Sequence, residues 1–422
     1  MRQTTRTLKL AAGLLLCVLC LGVAGQGPEQ TEETLKARAL LAQPQVVAAF
    51  AAVDKDREQI LREWTMLTEI NAPSGHERER AAAIEKILRR YKLADIHYDK
   101  AGNLIGVRKG TGGGARVVFD AHMDTVFQPG LQIKVTVRDG RIYAPGIGDD
   151  TRNIEALLAT IRALDAAKIK TKGDIIFVFT VEEETSLGGA KAYVAENKGK
   201  FDHYVALDGG YETFTYGGIG INWYRHHFIG PGGHTRSATP PYSATLPLAR
   251  AIERIYQLQV PRNPSSNLNI GMLGGSEVVN AKAADAWFSV DLRSTSNEVI
   301  ADLEKKIATI LKEEADRAGM TVKTEVISSS PSAQIPGHRD SYLVHTAEAV
   351  HRAMGFTAQP TITGSNNSSA ALLAGISSIS TGAGPCDDAH ALTENCEIEP
   401  LYKGIKKIML LELALVQLDE GH

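Results

Sequence analysis

Five short stretches carry the residues that could do chemistry. Ala121-His122-Met123-Asp124-Thr125-Val126 follows the apolar run Val117-Val118-Phe119, so His122 and Asp124 stand two apart and share a face if the strand persists. An imidazole held by a nearby carboxylate is the usual setting of a metal-ligating histidine, although a hydrogen-bonded strand-end pair looks the same. Pro145-Gly146-Ile147-Gly148-Asp149-Asp150 sets adjacent carboxylates on a glycine-rich turn, where they either answer a positive charge or cap a helix beginning near Thr151. Thr180-Val181-Glu182-Glu183-Glu184 repeats the theme with three carboxylates, which a solvated turn would also explain. Asp208-Gly209-Gly210 ends another strand-like run, and Cys386-Asp387-Asp388-Ala389-His390-Ala391-Leu392-Thr393-Glu394 supplies a late histidine. Together they offer two neutral nitrogens and enough carboxylates to hold two divalent cations through a shared oxygen ligand. Such a centre generates hydroxide and clamps a tetrahedral intermediate.

Elements must deliver these residues to one place. The chain has 422 residues, 43% hydrophobic and 23% charged, enough for two or three ordinary globular domains without staples. Helical spacing over 57–69, 77–91 and 153–167 alternates with strand-like runs at 103–108, 116–120, 173–181 and 204–208, an α/β pattern. Ser74, in the break between the first two helices, reads as a cap for the second. Between 215 and 327 the order becomes strand 220–229, helix 244–258, strands 268–273 and 284–292, helix 297–318 and strand 321–326, a β-α-β-β-α-β split unit. Helices at 340–354 and from about 400 to 418, with a strand near 377–380, resume the first pattern, so one domain interrupts another.

The N-terminus reads as an export signal. Arg2, Arg6 and Lys9 precede an apolar run from Leu10 to Val23, and Val23-Ala24-Gly25 suits cleavage before Gln26. The alternative is an uncleaved membrane anchor, but the run is shorter than the roughly 20 residues that span a bilayer, so cleavage is expected, with no membrane association afterwards. The expected organisation is a signal peptide at 1–25, a leader segment at 26–54, a catalytic domain in two parts at 55–214 and 329–422, and an inserted domain at 215–328. An exported protein would be periplasmic or secreted, where Cys386 and Cys396, ten positions apart, can form a disulfide or remain free thiols. A net charge of −3, with 46 basic against 49 acidic residues, provides no field for nucleic acid, and aromatics at 6% provide no base-stacking platform.

In order and approximate spacing, AHMDTV, GIGDD, TVEEETSLGG, LDGG and AHALTE resemble the M20 family of dinuclear zinc peptidases and amidohydrolases over about residues 57–417, most like its peptidase T, tripeptide aminopeptidase, branch. The resemblance implies a zinc-exopeptidase-like α/β catalytic domain with an inserted ferredoxin-like α+β lid, through which two copies can pair as a homodimer. It implies two Zn2+ per subunit, with Co2+ or Mn2+ fitting as well. His122 and His390 would each bind one metal, Asp149 both, and Glu184 and Asp208 would complete the shells. Asp124 would orient His122, and Glu183 would be the general base. Gly232-Gly233-His234-Thr235 is similar to the family's GGHS element, implying that His234 helps hold the oxyanion, often from the partner subunit. Arg293, in Asp291-Leu292-Arg293, would grip a substrate carboxylate or else form an ion pair with Asp291, and Asn280 would contact substrate. Two departures stand out: Arg152 where the family commonly has Lys, leaving open whether it covers the aspartate charge, and Gly364-Ser365-Asn366-Asn367 where many relatives have GGTDA. The implied function is cleavage of amide bonds in small peptides, as an aminopeptidase on tripeptide-like substrates. Carboxypeptidase and N-acyl-amino-acid deacylase are alternatives within the family, and a non-catalytic metal- or peptide-binding protein is the alternative outside it.

Overall fold

Apolar runs too short for helices build the central sheet. In the computed structural model, which describes residues 31–238, 242–276 and 278–419, six strands lie side by side in the order Ala94–Tyr98, Leu104–Arg108, Ile175–Thr180, Val117–His122, His203–Leu207 and Ser378–Thr381. The last four run parallel, and the first two turn antiparallel at one edge. Val117–His122 and Ile175–Thr180 are buried along their whole length because both faces are covered. Val117, Phe119, Ile175, Phe177 and Phe179 pack with Arg152–Ala166 and Ile398–Val416, while Val118, Ile176 and Val178 pack with Gly188–Asn197 and Ser368–Leu373. The shared direction of the four parallel strands brings their carboxyl ends to one end of the sheet, where an α/β sheet places its site.

The second sheet runs Ser266–Asn269, Asp285–Ser294, Gly220–Ile229, Thr321–Ser330, with Leu273–Gly275 also on Asp285–Ser294. In Asp285–Ser294 alternate residues are buried, and Ala286, Phe288, Val290 and Leu292 share a core with helices Thr245–Tyr256 and Asn297–Ala318. The single strand expected over 268–273 is two strands. Register moves by one residue between Asn269↔Asp291 and Leu273↔Phe288, a bulge that ends the first piece. The two sheets meet at a narrow neck. Gly218 and Ala333 exchange backbone hydrogen bonds of 2.7 and 3.0 Å, and the loop at Gly364 joins through Gly364 N to Gly217 O and Ile219 N to Gly364 O.

The stretch 26–54, which reads as a leader with a short helix, holds two helices among its described residues. Glu32–Leu41, capped by Thr31 Oγ1 on Thr34 N, and Pro44–Lys55, begun by its proline, are helices whose Ala37, Val46, Ala49 and Val53 enter the main core. The stretch 1–25 that reads as an export signal lies outside the described residues. No described helix is long and apolar enough to cross a membrane.

A third, four-stranded sheet was not anticipated. Thr136–Arg138 and Arg141–Tyr143 form a hairpin that pairs with Asn395–Glu397, which in turn pairs with Cys386–Asp387. Its strands are two or three residues long, too short for a periodic signal.

Candidate metal centre

Strand ends deliver the first residues. His122 is the last residue of its strand, paired with Thr180, and Met123 N donates to Thr180 O at 2.7 Å, so the turns carrying Asp124 and Glu183 leave the sheet together. Asp208 follows His203–Leu207 directly. Asp149 lies between the two histidines: His122 Nε2 is 2.9 Å from its Oδ1, and His390 Nε2 is 3.1 Å from its Oδ2. His390 Nε2 also lies 3.2 Å from Glu184 Oε2. Ligand atoms of His122, Asp149 and Glu184, and separately of His122, Glu183 and Asp208, fall within 4.8 Å of one another. The structure thus brings together all five sequence-predicted ligands and Glu183. It also places Glu183 close enough to His122 and Asp208 to be a ligand, so proximity alone does not separate base from ligand.

Polar contacts behind these groups hold them. His122 Nδ1 is 3.1 Å from Asp124 O and 3.3 Å from Asp124 Oδ1. The Asp124 carboxylate also accepts from Glu183 N, Glu184 N and Ser74 Oγ at 3.0, 3.1 and 2.6 Å. Ser74 therefore anchors Asp124 and does not cap the helix Arg78–Leu88, whose Glu77 cap position makes no capping bond. Asp150 caps nothing either: buried, it accepts from His122 N at 3.0 Å and Asn153 Nδ2 at 2.5 Å. Glu394 was not singled out from the sequence. Its Oε1 accepts from Gly148 N and Asp149 N and its Oε2 from Gly146 N, all at 2.7 Å, fixing the loop that presents Asp149.

Negative charge is crowded at this cluster. Burial pushes the Glu183 carboxyl well up, with Asp208 and Glu184 adding repulsion against an opposing His122. Glu184 is raised to about 7 by burial and then Asp149, and Asp208 to about 6 for the same two reasons. Burial would also raise Asp149, but hydrogen bonds from His122 and His390 prevail and lower it. Those bonds help hold His390 at about 9, the Asp149 contact being the largest cause. Glu184 Oε1 is buried without a hydrogen-bond partner. Crowded carboxylates, an orphaned oxygen and two imidazoles facing one aspartate are the donor set that divalent cations satisfy, so the residues fit a metal centre.

The remaining predicted residues lie elsewhere. His234, exposed, is on the two-residue strand paired with Ala281–Lys282, and Thr235 N donates to Asn280 O at 3.3 Å, which puts His234 and Asn280 side by side in the inserted unit. Among the described residues, neither joins the groups of candidate ligands formed by His122, Asp149, Glu183, Glu184 and Asp208. Arg293 Nε lies 3.1 Å from both Asp291 carboxylate oxygens, the ion-pair arrangement. Arg152 donates to Gly384 O at 2.5 Å and contacts Gly209 O at 3.5 Å and Cys386 Sγ at 3.1 Å, so it touches backbone and sulfur, and its charge lowers Asp208 only at a distance. Asn367 donates to Asp120 Oδ2 at 2.6 Å and Thr180 Oγ1 at 2.8 Å, beneath the strand ends. Cys386 and Cys396 form a disulfide.

Comparison with known proteins places this arrangement. The profile described as Peptidase family M20/M25/M40 matches residues 118–411, more than half of the chain. Carboxypeptidase G2 from Pseudomonas sp. (strain RS-16) is 25% identical over 336 residues, spanning 75% of this chain and 79% of that protein. Among solved structures, a tripeptidase from Staphylococcus aureus subsp. aureus Mu50 superposes with a TM-score of 0.77 at 24% identity, covering 86% of this chain and 99% of the other. Aminopeptidase PepT from Bacillus cereus ATCC 10987 superposes with a TM-score of 0.75 at 23% identity, covering 86% and 99%. At those identities the structural likeness speaks for the fold.

Proposed function

Because the chain belongs to peptidase family M20/M25/M40 and is a hydrolase of the peptidase and amidohydrolase kind, we propose that it is an exported dinuclear metallopeptidase that removes the N-terminal residue of tripeptide-like substrates. The observation that carries the metal part is Asp149, whose two oxygens each face a different histidine. His122 and Asp208 would hold one ion, His390 and Glu184 the other, and Asp149 both, with zinc the default and cobalt or manganese compatible. Two bound cations would supply Lewis acidity and positive charge to the site. Glu183, buried and raised, takes a proton from the attacking water and passes it to the nitrogen of the leaving amine. Asp124 keeps the His122 ring oriented and, through the Glu183 amide, fixes where the base begins.

The likeness to a tripeptidase and to PepT supports the aminopeptidase reading. A second reading, release of C-terminal residues, is favoured by the relation to carboxypeptidase G2; for that, Arg293 would have to leave Asp291 for a substrate carboxylate. Export is supported by the disulfide, which persists in oxidising compartments. Pairing of two copies through the inserted unit, with His234 serving the neighbouring site, is supported by the exposure of His234 away from the cluster.

A substrate panel separates the readings. Free tripeptides, N-blocked peptides, C-amidated peptides and N-acetyl amino acids are offered to metal-loaded protein of known sedimentation state, and products are identified by mass. Loss of the N-terminal residue, abolished by N-blocking, is expected. Cleavage of N-blocked substrates that C-amidation stops would overturn the aminopeptidase reading in favour of a carboxypeptidase or deacylase.

A further inference from the structure

The loop that carries His390 is closed on itself. Cys386 and Cys396, ten residues apart, are bonded, and within that ring Asp388 and His390 both have left-handed backbones, φ +59° and +67°. Such conformations are uncommon outside glycine and persist where the surroundings enforce them. The ring also abuts the loop of the bridging ligand. A Cβ built on Gly148 would lie 2.8 Å from Cys386 Cβ, 2.9 Å from Cys386 Sγ and 3.0 Å from Cys396 Sγ, so the bridge lies against the backbone one residue before Asp149. Cys396 is fully buried there.

Two residues before Cys396, Glu394 receives the amides of Gly146, Gly148 and Asp149. The C-terminal side of the ring is fixed independently, because Cys396 pairs with Ile142 and Asn395 with Tyr143. Its N-terminal side has fewer strand partners: Cys386–Asp387 pairs with Cys396 and Asn395 in the sheet, helped by Arg141 on Asp387 at 2.5 Å, by Arg152 on Gly384 O and Cys386 Sγ, and by Glu397 N on Pro385 O at 3.1 Å. The covalent link adds to these weaker contacts a fixed tie between that side, the His390 loop with it, and the buried Cys396.

We propose that Glu394 and the Cys386–Cys396 disulfide are positioning elements of the metal centre, Glu394 seating the bridging Asp149 and the disulfide seating His390. This rests on the dinuclear reading above. The two devices differ in what they control. Losing the bridge frees the ligand of one ion, whereas losing Glu394 loosens the ligand shared by both.

Metal titration reads that difference. Chelator-stripped protein with its disulfide intact is titrated with Zn2+ by calorimetry, and with Co2+ by visible absorption, beside Cys386→Ser/Cys396→Ser and Glu394→Ala variants whose folding is checked by circular dichroism. The intact protein is expected to take up two equivalents. The double serine variant should bind one equivalent unchanged and the other about 10- to 100-fold more weakly, with only part of the Co2+ spectrum altered. Glu394→Ala should weaken both. Should the double variant not fold, intact protein is treated with a dithiol, which gives two electrons and two protons to the bridge, leaving two thiols and closing into its own disulfide. Thiol counting confirms the reduction before the same titration. Two equivalents bound equally well with and without the bridge would overturn the proposal while leaving the dinuclear reading intact. Fewer than two equivalents on the intact protein would overturn both.

Discussion

A general base in a metal site must sit beside the reacting water without being taken up as a ligand, and Glu183 is in reach of both fates. Its amide is pinned to Asp124, and the residue before it, Glu182, is in the left-handed region at φ +55°, which turns the chain sharply out of the sheet. Glu183→Gln keeps the side-chain shape and removes the proton acceptor. The expected outcome is a fall in kcat of about 10²- to 10⁴-fold with two metal equivalents retained, by steady-state kinetics and elemental analysis on the same preparation. Near-normal turnover with full metal would end the base assignment, and metal loss would move Glu183 among the ligands. Residues such as His122, Asp149 and Glu184 stood out as candidates because their types are costly to place together unless they bind something, and their separate roles came from the resemblance to the M20 motifs. The parts played by Ser74, Asp150 and Glu394 were not legible, since each is an ordinary polar residue whose meaning comes from its partner. Glu394 meets Gly148 across 246 positions, and no local spacing encodes that.

Helices Arg152–Ala166 and Ile398–Val416 pack face to face under the sheet, and a carboxyl group is buried between them. Glu412 is fully buried, accepts from Thr160 Oγ1 at 2.9 Å, and leaves its other oxygen without a partner. Burial raises its pKa from 4.5 to about 8, against weaker lowering by Thr160 and Arg108. Below pH 4.5 both folded and unfolded chains carry the proton, and this group's contribution to stability is fully present. Between 4.5 and 8 the unfolded chain loses the proton first, so stability falls as pH rises, by at most about 1.4 kcal/mol per pH unit from this group. Glu412→Gln should flatten that decline in denaturant titrations at pH 5, 6.5 and 8, and be at least as stable as wild type at pH 8; parallel curves would show that Glu412 ionises freely in the fold. Long elements of this kind were readable from periodicity, Asn297–Ala318 to the residue. The four-stranded sheet and the break after Asn269 were not, because their lengths and bulge follow from tertiary pairing.

At the scale of the whole molecule, an inserted unit can serve a site on the sheet edge only if the connection between them is defined, and here it is a neck of paired strands. Gly218 exchanges hydrogen bonds with Ala333, and Gln334 Nε2 bridges Gly218 O and Ile362 O at 2.8 Å each. The Gly364 loop that flanks this neck continues to Asn367, whose amide reaches Asp120 and Thr180 under His122 and ahead of Glu183. The position where the family's GGTDA is replaced by Gly364-Ser365-Asn366-Asn367 therefore touches both the hinge of the inserted unit and the strands that carry the chemistry. A Cβ at position 218 would lie 2.6 Å from Ser369 Oγ and 2.9 Å from Ala333 Cβ. The serine hydroxyl can rotate away, but the alanine methyl moves only with its backbone, so Gly218→Ala must spread the neck. The expected result, on the proposed substrate roles of His234 and Asn280, is a loss in kcat/KM of about 10- to 100-fold on the preferred peptide, because a small misplacement of the unit that bears them would misalign substrate. The zinc isotherm should be unchanged, since the atoms nearest a Cβ at position 218 belong to Ser369 and Ala333 and not to the candidate ligands. Unchanged kcat/KM would mean that the inserted unit reaches the substrate independently of this neck. Altered zinc binding would instead show that strain passes through Gly364 and Asn367 into the strand ends.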